Sequence, residues 1–148
     1  MSDIDTSINI LKKDFFGRIG YGVYTLGGKI EKPFFMEGDV FFTLDSEEIL
    51  GLSDYRPLLY PKTHFIEEIV INRNWFCPQD SINKLLESSD LRIDSDFDID
   101  VVDISYINTS YISIIFDKLN EWMIDYRGLI DLGLAIDVTT IKENPYEK

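Results

Sequence analysis

The stretch from Phe15 to Leu44 constrains the fold more than any other part of the chain. It opens on Phe15-Phe16-Gly17 and runs through Ile19, Gly20, Tyr21, Gly22, Val23, Tyr24, Thr25 and Leu26 to Gly27-Gly28. Tyr21, Val23 and Thr25 alternate with Gly22, Tyr24 and Leu26, the two-residue period of a β-strand. Gly27-Gly28 supplies the positive φ angles of a two-residue hairpin turn. The return strand covers Lys29 to Met36, where Pro33 marks an edge position or a bulge. Glu37-Gly38-Asp39 makes a second turn before Val40 to Leu44. A three-stranded antiparallel meander results, preceded by a loose arm over residues 1–8.

Beyond the meander, Ser46 followed by Glu47, Glu48, Ile49 and Leu50 reads as a short capped helix closed by Gly51. Tyr55 to Lys62 carries two prolines and is expected to be an ordered loop. Thr63 to Asn72 fits a helical face through Phe65, Ile66, Ile69 and Val70, but its β-branched run Ile69-Val70-Ile71 selects a strand. Pro78 to Ser88 is a short helix with Ile82, Leu85 and Leu86 on one side. Asp94 to Tyr106 alternates at a period of two and reads as a strand half-buried through Phe97, Ile99 and Val101, with a slip at Val101-Val102 that marks a bulge. Asn108-Thr109-Ser110 caps an amphipathic helix that carries Ile112, Ile115, Leu119, Trp122 and Tyr126 and ends at Gly128. Leu134 to Ile141 is a last strand, and residues 143–148 form a loose polar tail. The order indicates an α+β fold, with a largely antiparallel sheet that begins with the N-terminal meander and helices packed on one face.

At 148 residues the chain matches one domain, 1–148, and 45% hydrophobic and 14% aromatic residues suffice for an ordinary core. Charge narrows the function. Fourteen basic residues oppose 27 acidic ones, a formal net charge of −13. Such a field repels phosphate backbones and anionic membrane surfaces, so neither nucleic acid nor membrane is an expected partner. A basic protein is attracted instead, mainly through faster association. Cys77 is the only cysteine, which excludes an intrachain disulfide. The start Met1-Ser2-Asp3-Ile4-Asp5 is the reverse of a secretory signal, and no apolar run reaches bilayer-spanning length. A cytoplasmic location is expected.

No catalytic motif emerges. The glycines between Gly17 and Gly28 do not follow the order of a dinucleotide fingerprint or a P-loop, and strand and turn positions explain them better. His64 is the only histidine. A zinc site would need carboxylates or Cys77 around it, and Cys77 stands at no recognised ligand spacing. His64 therefore reads as a surface or partly packed residue, and Cys77 as a small buried hydrophobe. No catalytic residue, cofactor or metal site is expected.

The aspartate series is the strongest local feature. Asp94, Asp96 and Asp98 match the start of a calcium loop, but Ile99 and Ser105 stand where that loop needs Gly and Glu. On a strand, Asp94, Asp96, Asp98 and Asp100 project from one face about 6.5–7 Å apart. Such carboxylates repel one another unless a cation or basic side chains lie opposite. Asp103 adds to the field: from Asp80 to Asp103 there are eight acidic residues and two basic ones, a local net of −6. A solvated outer face of a sheet is the bland reading, and a protein-binding stripe the functional one. Trp75, beside Phe76, is the candidate aromatic anchor for the same partner, whereas the aromatics of the helix after Asn108 read as packing.

Four features together resemble the bacterial immunity proteins that neutralise polymorphic or contact-dependent-inhibition toxins. They are the Phe15-Phe16-Gly17 start, the Gly27-Gly28-Lys29-Ile30 hairpin, the acidic mid-chain and the want of catalytic motifs. The resemblance implies a cytoplasmic inhibitor that caps a cognate toxin, often a basic nuclease. It transfers no functional residue; Asp94, Asp96, Asp98, Asp100, Asp103 and Trp75 rest on charge and exposure alone. Two other classes stand beside it. A regulatory or adaptor domain would not follow a toxin gene, and a carboxylate-dependent, cation-binding enzyme would be stabilised by millimolar calcium or manganese.

Overall fold

The computed structural model describes residues 3–87, 91–93, 99–101 and 109–147, with side chains over 7–87 and 112–147. The fold is α+β. Two compact units form, one from residues 1–59 and 127–141, the other from 60–126 and 142–148. Among the described residues, no helix is long and apolar enough to cross a membrane.

The first unit opens with helix α1, Asp3–Arg18, so residues 3–8 are helical where an arm is expected. Leu11, Phe15 and Arg18 recur at helical spacing and are buried, while Lys12, Lys13 and Phe16 face solvent. The meander follows as β1 (Tyr24–Thr25), β2 (Gly28–Met36) and β3 (Asp39–Leu44). The expected helix after Ser46 is instead a turn and a fourth strand, β4 (Ile49–Gly51), giving an antiparallel sheet in the order β1-β2-β3-β4. Glu47 takes a φ of 72°, and Leu44 N–H donates to the Glu48 carbonyl, which closes a hairpin where a helix would have to continue.

Two details of the meander differ from expectation. Thr25 pairs with Gly28, so the loop residues are Leu26-Gly27 rather than Gly27-Gly28. Gly28 is already in β2, at φ 137°, and a Cβ there would collide with the Asp45 carboxylate. The register also shifts between Ile30 and Lys32, and β1 pairs only as far as Lys29. Pro33 therefore sits opposite Phe42 just past a bulge, beyond the reach of β1.

Val40, Phe42 and Leu44 alternate inward from β3. Phe15 of α1 meets Phe42 at 5.4 Å and Tyr55 edge-on at 5.3 Å between ring centroids, which fixes the helix on that face. Strand β5 (Leu58–Leu59) pairs with β10 (Ile136–Asp137) in parallel, a departure from the antiparallel rule. The last strand expected over 134–141 is thus two residues long. The Asp137 carboxylate then accepts from Thr139 N–H and caps a 3-10 turn.

The second unit begins where Tyr60 bridges Ile124. Residues 62–66 form a 3-10 turn, and only Ile69–Ile71 is strand (β6), pairing with β7 (Asn74–Phe76). Helix α2 (Pro78–Leu85) starts on a proline, whose absent N–H no first turn needs. Strands β8 (Leu91–Ile93) and β9 (Ile99–Val101) pair antiparallel; the slip expected at Val101-Val102 lies outside the described residues. Helix α3 (Thr109–Glu121) stops short of the expected Arg127, because Met123 turns to φ 57°. The tail expected to be loose folds over Pro145–Glu147 and buries Tyr146.

Candidate functional site

Asp94, Asp96, Asp98 and Asp103 lie outside the described residues. Asp100 is the middle residue of β9, and the residue paired with it across the ladder is Arg92. A basic residue thus holds the register position opposite one member of the aspartate series, the arrangement such a series calls for.

Trp75 is the middle residue of β7 and is 58% exposed. Its neighbour Phe76 turns the other way, as strand alternation requires, and meets Trp122 of the segment after α3 at 5.0 Å between centroids. The β6–β7 hairpin is closed by Asn72-Arg73 at φ 50° and 71°. Both positions need the left-handed region, which Asn tolerates and Arg does not favour.

Beneath this hairpin lies a cleft of about 240 Å³ lined by Ile71, Asn72, Asn74, Phe76, Ser81, Glu121 and Trp122. Two aromatic rings and Ile71 supply its apolar surface, and amides, a hydroxyl and one carboxylate supply its polar groups. Lys118 Nζ donates to Glu121 Oε2 at 2.9 Å and stands 5.9 Å from the Trp122 ring centroid. Trp122 is buried, as its reading as a packing residue expects, and a small part of it also borders this cleft. What the sequence did not single out is Glu121, and the Lys118–Glu121 pair, three residues apart on a helix, is the signal that points to it.

Each unit also has a buried polar hub. In the first, the fully buried Asp14 carboxylate accepts from Arg18 Nε at 2.8 Å, an Arg127 guanidinium N–H at 2.7 Å and Tyr55 O–H at 2.7 Å. In the second, Tyr60 O–H donates to the Val70 carbonyl at 2.8 Å and accepts from Asn144 Nδ2 at 2.7 Å. Burial raises the Tyr60 pKa because it penalises the phenolate, against the pull of the hydrogen bonds that the phenol oxygen accepts from Asn144 Nδ2 and, at 3.3 Å, from the Val70 N–H. The His64 ring lies 6.3 Å from that of Tyr60, tilted by 34°; its Nε2 lies 3.3 Å from Glu67 Oε2, and its Nδ1 is buried without a partner. Cys77 Sγ donates weakly to the Phe65 carbonyl at 3.8 Å. Among the described residues, no three His, Cys, Asp or Glu side chains converge on a point that would hold a metal ion.

No protein family, curated protein or solved structure matches the chain.

Proposed function

We propose that this chain is a cytoplasmic, protein-binding inhibitor of the immunity-protein kind, which neutralises a basic, nuclease-like toxin by covering it. The observation that carries the reading is an exposed tryptophan on the more acidic of the two units. Residues 60–126 and 142–148 hold seven basic and fifteen acidic residues, a net of −8, against −5 for the first unit, which has seven and twelve. Trp75 stands on that unit with more than half its surface free. Buried tryptophans are frequent hot spots, each worth about 2 kcal/mol or more of binding. The acidic field speeds encounter and meets the Lys and Arg residues that a nuclease uses on phosphates.

The test pairs the chain with the product of the gene immediately upstream in its host. The expected result is a one-to-one complex, loss of the toxic activity, and association that weakens with salt. Asp96→Lys with Asp98→Lys should slow association at low salt, and Trp75→Ala should raise the dissociation rate. A double lysine variant that binds that partner as well as wild type would show that the aspartates are a solvated face and nothing more. Failure to inhibit any basic neighbour product would remove the reading altogether.

A further inference from the structure

We infer that the cleft under the β6–β7 hairpin is a receptor for a single arginine side chain, presented by the basic partner proposed above. Size favours a small occupant: about 240 Å³ lies at the lower end of small-molecule sites, roughly 300–1,000 Å³, and admits one long side chain. Charge disfavours anions, because among the described residues of the lining Glu121 is the only acidic or basic one and the unit around it is acidic.

The positive argument comes from Lys118. This chain already holds an ammonium group against the Glu121 carboxylate and within cation–π reach of Trp122. The same two groups that stabilise that cation line the cleft, so its chemistry is that of a cation receptor. Guanidinium suits the remainder better than ammonium does. Asn72, Asn74 and Ser81, each with a side-chain acceptor oxygen, also line the cleft. A planar fork with five donors can use several of these at once while its face lies on an aromatic ring. An entering guanidinium would take Glu121 from Lys118, so Lys118 acts as an internal competitor that lowers the affinity of any cation for the cleft.

The test needs no toxin, which separates this inference from the functional reading on which it rests. In a Trp75→Phe background, Trp122 is the only tryptophan left, and its emission reports on the cleft. The probe is N-acetyl-arginine methylamide, with the citrulline and lysine analogues as controls. A saturable change with the arginine probe is expected, at least tenfold weaker with Glu121→Gln and several-fold tighter with Lys118→Gln. An equal response to citrulline, or an unchanged affinity in Glu121→Gln, would overturn the inference. So would a silent Trp122 when the protein, with its fold verified by circular dichroism, is titrated to 50 mM probe. If the probe binds as expected but no basic partner is inhibited, the cleft stands and the inhibitor reading falls. If inhibition is intact in Glu121→Gln and the probe does not bind, the reverse holds.

Discussion

The two units each bury a polar hub in an apolar core, and they do so by opposite means. The first encloses a full charge: Asp14 sits between the guanidiniums of Arg18 and Arg127 and also receives the Tyr55 hydroxyl. The second is organised around an uncharged phenol, Tyr60, bonded to the Val70 carbonyl and to Asn144. A buried charge is tolerable only while its partners stay in place, whereas a buried hydroxyl needs only hydrogen bonds. The second unit carries the larger surplus of acid, and apart from Asp125 and Glu121 its described carboxylates are exposed. Among the described residues both units display carboxylates and each buries one, Asp14 in the first and Asp125 in the second, so what makes the second the better place to look for a basic partner is its larger net charge, −8 against −5.

The sharpest way to break this comparison is Asp14→Ala. It removes the carboxylate that faces the guanidiniums of Arg18, which has no exposure at all, and Arg127, and should cost about 3–5 kcal/mol in urea unfolding. A loss below about 1 kcal/mol would mean that the ionic hub is replaceable and the contrast between units superficial. Tyr60→Phe should cost less, about 2 kcal/mol, because what it leaves unpaired is neutral. It should also alter the alkaline limb. Below the ordinary tyrosine pKa near 10 the phenol is protonated in folded and unfolded chains alike, and its contribution is complete. As pH rises further the unfolded chain ionises first, so stability falls until the raised folded pKa is passed. The gap between wild type and Tyr60→Phe should therefore narrow above pH 10; a gap independent of pH would contradict the buried-phenol account.

Two turn substitutions compare the units on a finer scale. Gly28→Ala in the first unit should cost about 1 kcal/mol or more, since φ 137° suits only glycine and Asp45 fills the space a Cβ needs. Arg73→Gly in the second should stabilise by about 0.5 kcal/mol, because it relieves a left-handed arginine. Thermal melts of both variants would show whether backbone strain is confined to the hairpin over the cleft.

The meander was legible because strand alternation and turn glycines agree over some thirty residues. Its first loop is displaced by one position because Asp45, distant in sequence, decides where a glycine is indispensable. Helix α1 was hidden by its own hub: Asp14 and Arg18 stand on the inward face and break the apolar stripe by which an amphipathic helix is recognised. Helix α3 was drawn too long because Trp122 and Tyr126 prolong the three-and-four spacing past the point where Met123 reverses the backbone. Trp75 is exposed, the property for which it is singled out, and stands on a strand. The cleft was not legible, since Asn72, Ser81 and Glu121 come together only through folding.

The hub bonds also have a consequence for synthesis. Arg127 reaches Asp14 across 113 residues, and Asn144 reaches Tyr60 across 84. At roughly 5–20 residues per second, a nascent chain waits several seconds or longer between making Asp14 and making Arg127. Through that interval the first unit has its meander and its carboxylate but lacks the second arginine that completes the charge balance. Each unit is thus held ajar by the ribosome's pace until the chain comes back to close it.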